Sequence, residues 1–243
     1  MSALGHYIER EGIATTIVAL VREHCERIRP PRALFVPFEL GRPMGSPNDT
    51  ALQHRVLAAA LALFDAAKPL IVDFEEADPD RQGIDGWTPP FDLPAVTDGL
   101  SDADLAAALR AETAVIWPPY QATVESQGRT AVGIGPVAPD EIVEFLCRSL
   151  VDGVPSEPAD DFRPQYLLRF ACDDLKAVYS ETIFGDPPHP SSRQVADWFW
   201  TKTAAGLILR RLRRVCLDHP GRGYQFVGRM FIMPAYLARR LET

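Results

Sequence analysis

From Glu75 to Gly99 neither of the periodicities that build secondary structure survives, because Asp78, Pro79, Asp80, Gly83, Asp85, Gly86, Pro89, Pro90 and Pro94 interrupt every helix-length and strand-length window. Backbone-restricting prolines and conformationally free glycines at this density end elements rather than extend them. The stretch therefore divides the chain into residues 1–74, a linker or long functional loop over 75–100, and residues 101–243. A length of 243 residues allows either one large core or two small ones.

Before the break, the pattern alternates. Ala3 to Glu11 reads as a short helix closed by Gly12, and Ile13 to Leu20, rich in Ile, Val and Thr, reads as a strand. The charged run Arg22 to Arg29 reads as a helix ending before Pro30 and Pro31, and Ala33 to Pro37 as a second strand. A helix over about Thr50 to Ala66 follows, with Leu52, Val56, Ala60, Leu63 and Phe64 on one face, and then a third strand at Leu70 to Phe74. Strands separated by helices pair in parallel, since a parallel neighbour needs a long crossover. The fold class expected is thus α/β, a small parallel-sheet, Rossmann-like N-terminal lobe followed by a mainly helical C-terminal region.

After the break the spacing is helical. A start at Ser101, with Asp104 three residues on, leads into a helix expected to bend or stop at Pro118 and Pro119. A short strand-like run at Arg129 to Val132 precedes helices over about Pro139 to Val151, Arg163 to Phe184 and Ser192 to Asp218. Ser191 with Gln194 forms a capping box for the third of these, and Pro220 with Gly221 stops it. A last helix over Tyr224 to Arg239 is interrupted near Pro234, and no internal repeat is present.

Several function classes recede on composition. A formal net charge of -8 repels phosphate backbones and anionic lipid, so no nucleic-acid or membrane partner is expected. The first residues lack an apolar signal core, and the longest apolar runs, Leu57 to Phe64 and Ala204 to Leu209, fall far short of the ~20 residues that span a bilayer. Cys25, Cys147, Cys172 and Cys216 are widely spaced, with no zinc-like pairing, so no metal site and no disulfide is expected. Reduced thiols in the cytoplasm are the corresponding expectation.

The chemically dense stretch is Phe38 to Asp49, a loop between a predicted strand and a predicted helix. In open α/β sheets ligands bind beyond the carboxyl ends of strands, and the start of a helix presents N–H groups to anions. Gly41 and Gly45 allow close approach of backbone, Arg42 can fork onto a carboxylate, and Glu39 can hold an amine or move a proton. Ser46, Asn48 and Asp49 complete a candidate substrate-binding set. A rigid turn, in which Arg42 and Glu39 pair with neighbours while Ser46 to Asp49 cap the helix, explains the same residues.

Across Ile8 to Phe64, five motifs in order, Glu-Gly-Ile-Ala-Thr-Thr, Glu23-His24-Cys25, Pro31-Arg32, Leu40-Gly41-Arg42-Pro43 and Ser46-Pro47-Asn48-Asp49, resemble the C-terminal part of the selenoprotein B family. Those proteins are the substrate-handling subunits of glycine, sarcosine, betaine and D-proline reductases. The resemblance, confined to residues 3–74, implies an α/β lobe that binds a small amino acid or related amine beside a redox-active selenocysteine or cysteine. Reductive cleavage of a carbon–nitrogen bond follows from that pairing. The family's reactive motif lies just upstream of the segment resembling Ala3 to Thr16, so here it is expected on a second subunit, with no cofactor bound to this chain. Gly41-Arg42-Pro43 stands where family members have Gly-Asn-Pro, which shifts the expected charge preference for substrate.

Cys25, beside His24 and among Arg22, Glu23, Glu26, Arg27 and Arg29, is the candidate catalytic thiol of this chain, with a structural cysteine as the alternative. Gly133-Ile134-Gly135-Pro136-Val137-Ala138 formally fits a dinucleotide fingerprint, but Pro139, Asp140 and Glu141 stand where phosphate would dock. Arg210, Arg211, Arg213 and Arg214 are expected to pair with carboxylates such as Glu75, Glu76 and Asp78 or with a partner. Trp198-Phe199-Trp200, preceded by His189-Pro190, either lines a pocket or packs in a core or interface. Two functions are left open by the residues: a reductase component, and a noncatalytic interaction or scaffold subunit working through the helical half.

Overall fold

The computed structural model describes residues 2–76, 83–158, 161–185 and 190–241. It divides into two compact units, residues 1–83 and 84–243.

The first unit is built on three short parallel strands, β1 (Ile17–Ala19), β2 (Arg32–Phe35) and β3 (Leu70–Asp73), in the order β1-β2-β3. Ile17 aligns with Ala33 and Arg32 with Leu70. Helix α1 (Ser2–Arg10) precedes β1, α2 (Arg22–Ile28) crosses from β1 to β2, and α3 (Thr50–Ala62) crosses from β2 to β3. Because side chains alternate along a strand, β2 feeds two cores. Leu34 joins Val36, Phe38, Leu52, Val56, Ala60 and Leu63 on the α3 side, whereas Ala33 joins Ala19 and Cys25 on the α2 side. The expected β-α-β alternation is therefore present. β1 is shorter than the apolar run that announced it, since Ile13 to Thr16 lie outside the ladder and Thr15 instead donates from its backbone N–H to Glu9. Strand order runs straight through without the reversal that opens a binding crevice in doubly wound sheets.

Glu9 ties this unit together. Its side chain, 7% exposed, accepts from Arg32 at 2.6 Å, from the Thr15 N–H at 3.0 Å and from Lys68. The Lys68 hydrogen bond, then the Thr15 N–H, hold its carboxyl down to about 2. Thus Arg32 of the Pro31-Arg32 motif is held in a structural ion pair with Glu9.

The second unit is helical: α4 (Asp102–Gln127), α5 (Ile142–Val151), α6 (Pro164–Ile183), α7 (Ser192–Lys202), α8 (Ala204–Asp218), α9 (Arg222–Met230) and α10 (Ala235–Leu241). Helix α8 lies at its centre, packed on α4, α5, α7 and α9, with Ala204, Ala205, Ile208, Leu209, Leu212 and Cys216 fully buried. Residues 84–100 belong to this unit: Trp87, Phe91, Leu93, Val96 and Leu100 pack against its core. Ser101 caps α4 by accepting from the Asp104 N–H at 3.1 Å, and the Ser191–Gln194 capping box starts α7.

Three expectations are corrected here. Helix α4 does not stop at Pro118 and Pro119 but continues to Gln127. The two carbonyls deprived of i+4 donors belong to Ala114 and Val115, both exposed and so open to water, while Ile116 and Tyr120 on the opposite side are buried. Residues 129–132 form no strand. The helix expected over Ser192 to Asp218 is two helices parted at Thr203, whose extended backbone (φ -113°, ψ 149°) makes it the N-cap of α8.

Candidate functional site

The loop after β2 leaves the carboxyl end of the central strand, as its sequence position requires. Its entry is fixed by Phe38, 6% exposed and edge-on to Phe74 at 5.8 Å. Beyond it the chain folds into successive tight turns, the Arg42 N–H donating to the Glu39 carbonyl and the Gly45 N–H to the Arg42 carbonyl, both at 3.0 Å. Three left-handed residues make these turns possible: Gly41 (φ 92°), Gly45 (φ 84°) and Asn48 (φ 64°). The two glycines differ in surroundings. A Cβ on Gly41 would meet nothing within 4 Å, whereas one on Gly45 would fall 2.6 Å from Leu52 Cδ2.

The loop's polar groups are arranged unevenly. Leu40, Gly41, Pro43, Pro47 and Asn48 face solvent, while Glu39, Arg42, Ser46 and Asp49 are half-buried. Glu39, Arg42 and Ser46 already have interaction partners. Asp49 is the N-cap of α3, accepting from the Leu52 N–H at 2.9 Å, and Gln53 Nε2 donates to the Ser46 carbonyl at 3.0 Å. The helix start thus carries a carboxylate of its own, which repels a second anion from the axis of α3. Within the loop, the side chain of positive charge is Arg42. One guanidinium, two carboxylates, an amide and a hydroxyl together suit a small molecule with charges of both signs. Nearby, Arg55 and Glu76 form a paired fork at 2.7 to 3.1 Å, whose mutual hydrogen bonds raise the guanidinium's pKa and lower the carboxyl's.

Cys25 lies on α2 with no exposed surface, among Ala19 and Ala33. The other three cysteines are buried too, and burial pushes the thiols of Cys147 up to about 11 and of Cys216 up to about 12, and that of Cys172 further in the same direction. A thiolate is the reactive species, so none of these three is poised for chemistry. Among the described residues, no group of three His, Cys, Asp or Glu side chains could hold a metal ion, and no helix is long and apolar enough to cross a membrane.

The remaining singled-out motifs are structural. Gly133 to Ala138 follows no strand; the Gly133 N–H hydrogen-bonds the Asp174 carboxylate, and a Cβ on Gly135 would strike Phe170 Cβ at 2.5 Å, so these glycines serve contact with α6. Arg210 pairs with Asp98 at 3.2 Å, and Arg211 with Asp102 at 2.5 Å and the carbonyls of Asp98 and Leu100. Arg210 and Arg211 therefore fasten the entry to α4, while Glu76 is held by Arg55. Asp78 and His189 lie outside the described residues. Trp198 packs in the core against Trp87, Phe91 and Tyr179.

Sequence reasoning missed Glu112. It has no exposed surface, and its carboxylate accepts from Tyr179 Oη at 2.6 Å and from the N–H groups of Ala204 at 2.7 Å and Ala205 at 3.1 Å, at the first turn of α8. Burial raises its pKa, against the lowering effect of those three hydrogen bonds. The signal was available: Leu105, Leu109, Glu112 and Ile116 follow one helical stripe, so an acid occupies a core position.

Comparison with models of known families, with curated proteins and with solved structures finds no match to this chain.

Proposed function

We propose that this chain is a subunit, or a divergent homologue, of the selenoprotein B-like reductases, acting in the cytoplasm as part of a hetero-oligomer. In this reading the first unit is a small parallel-sheet, Rossmann-like lobe that binds a small amino acid or carboxylate at Phe38 to Asp49. Arg42 takes the substrate carboxylate, Glu39 the ammonium or substituted amine, and Ser46, Asn48 and Asp49 line the mouth, with Gly41 admitting the ligand to backbone and Gly45, packed on Leu52, shaping the turn. A second protein supplies the thiol or selenol that cleaves the carbon–nitrogen bond reductively.

The observation that carries the reading is the placement of a guanidinium and a carboxylate on a glycine-shaped loop at the carboxyl end of the central parallel strand. Burial of all four cysteines favours the division of labour, because reduction needs an accessible thiolate or selenolate. A noncatalytic interaction subunit is the second reading, and what favours it is the occupied state of Glu39 and Arg42 together with the helix start already capped by Asp49.

Thermal unfolding of the purified protein with glycine, sarcosine, betaine, D-proline and acetate separates the two. Ligand in ~100-fold excess over its Kd stabilises by about 2.7 kcal/mol, a rise of several degrees for a unit of this size. The substrate-binding reading expects such a rise for at least one amine, lost in Arg42→Ala. An unmoved midpoint with all five compounds leaves the interaction subunit as the correct reading.

A further inference from the structure

The geometry points to a second binding site, in the helical unit, for a small carboxylic acid with an aryl or branched-alkyl body. A cavity of about 470 Å³ lies between α6, α7, α9 and the turn joining α9 to α10, within the size range of pockets that enclose small ligands. Its rear wall is apolar and rigid: Tyr179, Phe199, Trp200 and Met233 are all at most 5% exposed. Aromatic rings set against each other, Tyr179 to Phe199 at 5.2 Å and Phe199 to Trp200 at 5.0 Å, hold that wall in place.

The polar groups of the lining decide the charge of the occupant. Lys176 has spent its three donors, on the carbonyls of Phe231 at 3.0 Å and Ile232 at 3.3 Å and on Asp173 at 2.8 Å. Ser180 Oγ donates to the Lys176 carbonyl at 2.9 Å, and Ser192 also has a partner. Arg229 is different: it stands exposed at the mouth and makes no hydrogen bond or ion pair to another described residue. No Asp or Glu is among the described lining residues. An apolar interior with one uncommitted guanidinium at the opening fits a ligand that is apolar at one end and anionic at the other, its carboxylate forked on Arg229 and its body against Trp200 and Met233. This site is on different elements from the loop of the first unit and stands or falls without it.

Trp200 makes the site observable through intrinsic fluorescence in the full chain. Phenylacetate and 4-methylpentanoate are titrated against phenylacetamide, which has the same body without the charge, and against a hydrophobic peptide. The expected result is a saturable emission change, with the acid binding at least about fivefold more tightly than the amide, as a charge-assisted fork contributes. Arg229→Gln, at an exposed position where folding is not at stake, is expected to abolish that preference while leaving amide binding unchanged, and Ala196→Phe to reduce both. Arg42→Ala, in the other unit, is expected to leave the acid preference read from this emission change as it is. No saturable response to either acid, saturation by the peptide alone, or an acid preference that survives Arg229→Gln would each overturn the assignment.

Discussion

At the scale of the residue, the loop after β2 depends on two glycines for different reasons. Gly41 and Gly45 share a left-handed backbone, but only Gly45 is packed, against Leu52. Alanine at Gly41 therefore costs only the conformational penalty, about 1 kcal/mol, whereas at Gly45 it adds displacement of a buried leucine and should cost about 2 to 4 kcal/mol. Urea unfolding of the two variants measures the difference, and equal losses would refute the packing role of Gly45. The same contrast explains what could be read in advance. Glycine, asparagine and aspartate in one short stretch announce a turn and a cap, and Asp49 is indeed the cap of α3. That the cap turns away an anion could not be read, because it depends on where the Asp49 carboxylate points.

At the scale of the element, caps and periods were legible and long-range support was not. Gly12, Ser101 and Ser191 signal their helix ends through neighbours within three residues. Thr203 gives a local hint, its Oγ1 accepting from the Gly206 N–H at 2.9 Å, but the carboxylate that completes the start of α8 comes from Glu112, distant in sequence. Likewise α4 survives two prolines through burial of Leu105, Leu109, Ile116 and Tyr120, a tertiary effect that outweighs local propensity. Replacing Glu112 by Gln sets an NH₂ against a backbone donor and should destabilise the protein by about 1 to 3 kcal/mol. The sign of its pH dependence follows from linkage. The folded pKa lies above the ordinary 4.5, so the native state holds the proton longer than the unfolded chain, and the contribution of Glu112 to stability falls as pH rises from 4.5 through the raised value. Chemical denaturation across that range should show wild type and Glu112→Gln converging as pH increases; a gap that widens would contradict the upward shift that burial imposes on the Glu112 carboxyl.

At the scale of the whole molecule, the change from alternating strands and helices to helices alone was legible because proline and glycine erase both periods between them. The precise border was not, since Trp87, Phe91 and Leu93 sit in a stretch without periodicity and still join the helical core. Burial of all four thiols is likewise a property of the assembled chain. In native protein at pH 7.5 a thiol reagent should label none of them within minutes, and all four once the chain is unfolded. Rapid labelling of one native thiol would place reactive chemistry on this chain and remove the need for a partner's selenol or thiol. The proposed division of labour leaves substrate capture to the loop of the first unit, so the decisive observable is that loop's own backbone. Amide ¹⁵N–¹H spectra recorded while glycine, sarcosine, betaine and D-proline are added should show saturable shifts centred on Gly41, Gly45 and Asn48, absent in Arg42→Ala. Shifts confined to other residues, or none with any of the four compounds, would contradict the claim that this turn receives a ligand.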